Sequence, residues 1–219
     1  MRCIVTAGPT YEPLDQVRRL TNFSSGRLGS ELANFLTGKG YEVILLLGQQ
    51  ATFKGDHLAH NVQTFTTTND LRDRLRTLSA DSADAVFHAA AVSDFSFAKV
   101  WVCSEQGKLK EIKSGKISTR EGNLLAELAP TPKIIAELRP LYPQARLIGW
   151  KFEVEGNRPS VIRLAQNQIN ECSTNGCVAN GPAYGAGFGL VTMTGCAHLA
   201  DSQALFEALE RLIQLKPAA

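Results

Sequence analysis

Apolar positions along this chain fall into short dense runs separated by amphipathic stretches. Cys3 to Thr6 is the first run; it closes at Gly8-Pro9 and reads as a strand entering a loop. Ser24-Ser25-Gly26 then opens a helix with Leu28, Leu32, Phe35 and Leu36 on one face, stopping in Gly38-Lys39-Gly40. Val43 to Leu47 is apolar throughout, as a strand buried on both faces of a parallel sheet requires. Val62 to Phe65 reads as a third strand. Asn69 is placed to cap a second helix carrying Leu71, Leu75 and Leu78. Asp84 to Ala91 reads as a strand, Thr131-Pro132 as the start of a third helix with Thr as cap, and Arg146 to Phe152 as a strand. Pro159 to Glu171 is helical in pattern, Cys177 to Ala179 is a short strand, and Phe188 to Met193 suits an edge strand. Asp201 caps a last helix that turns Leu205, Leu209, Leu212 and Ile213 inward.

This alternation predicts an α/β, Rossmann-like fold: a mostly parallel sheet with helices on both faces. No internal repeat or low-complexity linker interrupts it, so residues 1–219 read as a single domain. The stretch 96–122, rich in Lys, Ser and Gly, has no clear period and is expected to form a flap or dimer arm outside the main sheet.

Composition narrows the class. With 219 residues, 44% of them hydrophobic, the chain can bury a core without disulfide or metal staples. The net charge of +2, with no long basic run, argues against a reader of duplex nucleic acid. No segment approaches the ~20 apolar residues of a membrane span, and the N-terminal apolar run is too short for a secretory signal. Five scattered cysteines read as free thiols, and Cys172 and Cys177 lack a second Cys/His pair at zinc spacing. A cytoplasmic location is the expectation.

Ligands of doubly wound sheets bind beyond the carboxyl ends of the strands. Four Gly-, Ser- and Asn-rich segments fall there: Gly8 to Gly26, Ala90 to Phe95, Gly149 to Glu153, and Asn180 to Gly189. Ser24-Ser25-Gly26, at a helix start, suits a phosphate, and Gly29 allows that helix to pack closely on its strand. It is neither the G-x-G-x-x-G fingerprint nor a Walker loop, because about fifteen residues intervene after Gly8 and no G-K-[ST] is present. The long intervening loop carries Arg18, Arg19 and Asn22, and long loops in compact domains are usually functional.

The string from Thr6 to Gly29, T-A-G-P-T-x-E-P-L-D-x-V-R-x-L-T-N-x-S-S-G-x-L-G, resembles the opening of phosphopantothenoylcysteine synthetase. Ala89 to Phe95, Lys116-Ile117-Ser118, Leu128 with Thr131 to Ile135, Ile148-Gly149-Trp150 and Val178-Ala179-Asn180 resemble later segments of that family, in the same order. The resemblance implies a ligase of coenzyme A biosynthesis that joins 4'-phosphopantothenate to L-cysteine. Its activating nucleotide is CTP or ATP, with Mg2+, and it works through an acyl nucleotidylate. It also implies a homodimer and a free-standing ligase with no flavin. The implied catalytic residues are Asn22, whose amide would donate to the acyl oxygen, Lys116, which would offset α-phosphate charge, and Arg18, which would pair with a carboxylate or phosphate of the substrate. Gly8, Ser24, Ser25, Gly26, Ala90, Ala91, Asp94, Trp150 and Asn180 are the implied nucleotide-binding residues, Trp150 as a wall of the base pocket. The metal ligands are left unassigned.

The chain departs from the family pattern at three points. Pro9 stands where the family often has Gly, while Gly181 and Asn175 stand where carboxylates are expected near the base or metal. Two other readings compete: a nicotinamide-dependent reductase, disfavoured by the missing fingerprint, and a nucleotide-binding homologue that has lost catalysis.

Overall fold

The structure is a computed structural model, and it describes residues 1–104, 106–112, 115–118 and 122–214. The expected arm over 96–122 includes residues 105, 113–114 and 119–121, which lie outside the described residues.

The apolar runs become the centre of an eight-stranded sheet. In chain order its strands are β1 (Arg2–Ala7), β4 (Glu42–Gly48), β5 (Asn61–Phe65), β6 (Ala85–His88), β10 (Arg146–Phe152), β11 (Gly176–Asn180), β12 (Phe188–Thr192) and β13 (Gly195–Leu199). Their spatial order is β13-β12-β11-β10-β6-β1-β4-β5. The six strands from β11 to β5 are parallel, while β12 and β13 run antiparallel at one edge. Helices α1 (Arg27–Gly38) and α5 (Ser202–Gln214) cover one face. Helices α2 (Thr68–Leu78), α3 (Ile134–Leu141) and α4 (Arg158–Cys172) cover the other. Among the described residues no helix is long and apolar enough to cross a membrane.

Sheet parity explains the two cores. Val5, Leu45, Phe87 and Ile148 point to the α1/α5 face, where they meet Leu32, Leu36, Leu205 and Leu209. Their neighbours Ile4, Ile44, Val86 and Leu147 point to the other face, against Leu71, Leu75 and Leu138. A strand buried on both faces must be apolar at every position, and this is why no alternation shows in these runs. Gly29 is required by the approach of α1 to β1: a Cβ there would lie 2.6 Å from the Ala7 Cβ.

The chain between β1 and α1 is not a plain loop. It folds as an antiparallel hairpin, β2 (Tyr11–Pro13) with β3 (Arg19–Thr21). The 96–122 region is more regular and extends further than its composition suggested. Strands β7 (Phe95–Cys103), β8 (Leu109–Glu111) and β9 (Asn123–Pro130) make a separate three-stranded antiparallel sheet, ordered β8-β7-β9.

Several boundaries move. Thr67, not Asn69, caps α2, its side chain accepting from the Asp70 N–H. Thr131 does not cap α3; its hydroxyl donates to the Ser93 carbonyl and thereby ties the arm's exit to the end of β6. Asn157 caps α4 in a reciprocal capping box with Ser160. Asp201 caps α5 as expected, accepting from the Ala204 N–H at 2.8 Å. The strand expected over 84–91 pairs regularly only to His88. β12 is not the edge, because β13 pairs outside it.

Candidate active site

The order in which strands are added reverses about β1. From β1 the chain passes through α1 to β4 on one side; from β5 it crosses through α2 to β6 on the other. The carboxyl ends of β1 and β6 are thus the switch point at which such sheets bind ligands. Gly8, at φ 80°, bends the chain there. Its carbonyl accepts from the Ala91 N–H at 3.0 Å, and Thr10 N–H donates to the Ala91 carbonyl at 3.1 Å. The β1/β6 ladder therefore continues past both strand ends through a Pro9–Ala91 bridge. Pro9 needs no N–H to do this, because its neighbours carry the bonds.

The hairpin sits over this ladder. Buried Glu12 accepts from the Thr68 N–H at 2.9 Å, at the start of α2. Thr21 hydroxyl donates to the Thr10 carbonyl at 2.9 Å. Asn22, next along the chain, donates through Nδ2 to the carbonyls of Ala91 at 3.1 Å and Val92 at 3.3 Å. Its Oδ1, an acceptor, is the part of the amide left for a ligand, which differs from the donor role the resemblance implied.

Beyond Asn22 and the fully exposed Phe23, the chain enters α1. The helix has no side-chain cap. Gly26 occupies the N-cap position at φ 79°, and the Ser25 hydroxyl accepts from the Arg27 N–H at 3.3 Å. A Cβ on Gly26 would meet Ala51 at 3.0 Å and Gly8 at 3.2 Å, so both glycines are held against one another. The Ser25 carbonyl accepts from Thr52 and Phe53 N–H, at 3.1 and 3.0 Å, which fixes the entry loop. The first helical bond runs from Ser30 N–H to the Gly26 carbonyl, so the preceding amides face the site without intrahelical partners.

Arg18 is placed differently from expectation. Its Nε and Nη2 pair with Asp15 of its own loop, and Nη2 also donates to the Ile117 carbonyl at 2.8 Å. The guanidinium thus meets a carboxylate of this chain rather than standing open for a substrate's. The neighbouring Arg19 stacks over Tyr11 at 4.8 Å. Lys116, exposed, lies in the segment so bound. The Arg18 hydrogen bonds hold the Asp15 carboxyl well below the usual carboxylate range; they outweigh desolvation, and the N–H groups of Val17, Ile117 and Arg18 add to the effect. An open cleft lined by Pro13, Leu14, Phe97, Val100, Ile112 and Ile117 runs between hairpin and arm.

Ala90 and Ala91 lie half-buried at the end of β6, and Asp94 is exposed just beyond them. Beneath them the Thr6 hydroxyl accepts from the Ala90 N–H at 3.1 Å and lies 3.0 Å from Nδ1 of His88. Burial pushes the His88 pKa down to about 4, so the ring is neutral. Sequence reading passed over His88 and Asp15. An Asx-type turn at Asp15, accepting from Val17 and Arg18 N–H, was the signal available for the latter.

Trp150 is half-buried and packs with Phe188 and Leu199 against the α1/α5 core. Its indole N–H and the Asn180 side-chain oxygen are both covered and lack partners among the described residues. The other two departures also have a structural account. Gly181 sits at φ 109°, and a Cβ would lie 2.5 Å from the Glu153 carbonyl, so this backbone has no room for a carboxylate there. Asn175 precedes β11 at the amino end of the sheet, accepting from Arg139 at 2.8 Å and from Leu147 N–H at 2.9 Å. It lies about 16 Å of strand away from the carboxyl ends and serves the fold. Among the described residues no group of three His, Cys, Asp or Glu is arranged to hold a metal.

Fold and site together define a doubly wound α/β domain whose switch point carries a helix N-terminus and a bridged strand end, with a lysine-bearing segment tied to the overlying hairpin. The chain belongs to the family described as the DNA/pantothenate metabolism flavoprotein C-terminal domain, whose model matches residues 1–212. It is 33% identical over 179 residues to the coenzyme A biosynthesis bifunctional protein CoaBC of Thermococcus kodakarensis, a match that covers 82% of this chain and 41% of that protein. The DNA/pantothenate metabolism flavoprotein from Streptococcus pneumoniae matches in structure at TM-score 0.86 and 26% identity, over 98% of both chains. A Cab2 variant in complex with phosphopantothenate-cysteine shares the fold at TM-score 0.71 and 19% identity, over 97% of this chain and 85% of that one. The chain spans less than half the length of the curated relatives it matches.

Proposed function

We infer that this domain joins 4'-phosphopantothenate to L-cysteine by way of an acyl nucleotidylate, as a step of coenzyme A biosynthesis. The observation that carries the reading is the placement of Asn22 at the linked ends of β1 and β6, next in the chain to the amino end of α1, with the Lys116 segment tied to the turn of the same hairpin. The family, and a structural neighbour solved with phosphopantothenate-cysteine, support it.

In the first half-reaction a carboxylate oxygen of phosphopantothenate attacks the α-phosphorus of CTP or ATP, and pyrophosphate leaves. Two anions must approach, so catalysis comes from placement and charge neutralisation. The free amides of α1, with Ser24, Ser25 and Gly26, receive the phosphates, and Lys116 faces the α-phosphate. Ala90 and Ala91 leave room for the nucleoside beside β6. In the second half-reaction the cysteine amine attacks the acyl carbon, the nucleoside monophosphate leaves and the amine gives up a proton. Asn22 Oδ1 accepts from that amine and orients it. Mg2+ would keep waters and be held mainly through the substrate phosphates, with Asp94, exposed just beyond β6, as a carboxylate near it. When bound, the ion offsets phosphate charge.

The domain acts as a homodimer in the cytoplasm, with 95–130 as the dimer arm. The exposed Leu125 and Leu128 of β9 support this assembly, and the free state of all five cysteines suits a reducing compartment. Mixing the protein with phosphopantothenate, cysteine, Mg2+ and either nucleotide should release pyrophosphate only when phosphopantothenate is present. The faster nucleotide identifies the co-substrate, and no release with either removes the proposal.

A further inference from the structure

The geometry points to Asp15 as a positioning residue for Lys116, acting through a latch with Arg18 and the backbone on both sides of the lysine. The inference rests on the ligase reading and deepens it. The Asp15 side chain is fully covered although its loop is at the surface. One oxygen accepts from Val17 N–H at 2.9 Å and Arg18 N–H at 2.8 Å, which shapes the hairpin turn. The other accepts from the Arg18 guanidinium and from Ile117 N–H, the latter at 3.2 Å. Arg18 returns a bond to the Ile117 carbonyl, and Gln16 N–H donates to the Gly115 carbonyl at 3.0 Å. The residues before and after Lys116 are therefore both fastened to the 15–18 turn.

The same hairpin ends in Asn22, which is fastened to Ala91 and Val92. One small element thus fixes both Asn22 and the backbone on either side of Lys116, the two groups to which the proposed reaction gives roles. Misplacing such a group by about 1 Å can cost ~10²-fold in rate, so a device that holds the lysine's backbone has kinetic weight. A carboxylate is well suited to such a latch, because it accepts several bonds at once and the Arg18 fork engages it together with a carbonyl.

The test is a rate cycle on pyrophosphate release with Asp15→Asn, Lys116→Ala and the double variant, each checked by thermal melting. Asp15→Asn should lower kcat at least ~10-fold with little change in nucleotide KM, and the double variant should be no slower than Lys116→Ala alone. Arg18→Met, which keeps the side-chain stem, should also add nothing in the Lys116→Ala background. It serves as the second route if Asp15→Asn folds poorly. Asp15→Glu should restore part of the rate. Multiplicative losses in the double variants, or a normal rate for Asp15→Asn, would overturn the latch and leave the ligase reading standing. Absence of turnover by the unaltered protein would overturn both.

Discussion

In β1, β4 and β6 most side chains are buried, whereas every residue of β3 and β8 and most of β9 are exposed. The central strands are held by apolar burial on two faces. The hairpin and arm are held by ladder bonds and a few charged contacts, which contribute little to stability but fix direction closely. The residues assigned to chemistry divide along the same line. Gly8, Ala90 and Ala91 belong to the rigid floor, while Asn22, Lys116, Arg18 and Asp15 belong to the hairpin and what it holds. Activity and stability should therefore be separable by region.

The largest expected effect lies in the hairpin and arm. Asn22→Ala and Lys116→Ala should each lower kcat by roughly 10²–10³-fold, as loss of a placed polar group does, while stability stays within ~0.5 kcal/mol. Initial rates and urea unfolding would check this. A large loss of stability in either would show that the hairpin also carries the fold.

The floor should behave in the opposite sense, and His88 tests it through pH. With its hydrogen turned to Nδ1, the Thr6 hydroxyl accepts from Ala90 and donates to a neutral ring. Above pH ~6.5 neither folded nor unfolded chain binds this proton. As pH falls from 6.5 toward about 4 the unfolded chain takes it up and the folded one does not, so stability drops. By pH 4 the loss from this group is of the order of 3 kcal/mol. His88→Gln should flatten the urea midpoint across that window relative to the unaltered protein, and equal slopes would refute the buried neutral ring. The latch should persist over the same window, since Asp15 ionises below the ordinary carboxylate range.

The smallest effect on stability is expected on the arm. Leu125→Ser with Leu128→Ser should shift sedimentation at micromolar protein from dimer to monomer while leaving the melting curve of the sheet nearly unchanged. An unaltered dimer would place the contact elsewhere.

The same division governs what the sequence disclosed. Val43 to Leu47 reads directly, because two-sided burial demands an unbroken apolar run, and Arg146 to Phe152 shows it only over its buried Leu147 and Ile148. In β7 the apolar alternation of Phe95 and Phe97 resumes out of phase at Val100 and Val102, and the register shift between Phe97 and Val100 marks the bulge responsible. β2 and β3, at three residues each, are too short to show a period, and their order comes from Glu12, Thr21 and Asn22 reaching distant partners. β13 is exposed along most of its length, so no apolar signal announces it. Asn22 and Lys116 were reached through family resemblance. The fastening of the Asp15–Arg18 pair to Ile117 runs across about a hundred residues, and no local pattern carries it.

That separation has a consequence during synthesis of the chain. β1 can pair with β4 once residue 47 is available, but the 15–18 turn has no partner until residue 117 has been made, roughly seventy residues later. At ~5–20 residues per second, the hairpin waits about 4–14 s beside an already paired strand with its buried carboxylate still open to water. A growing chain would therefore pair β1 with β4 well before the 15–18 turn could fasten the backbone on either side of Lys116.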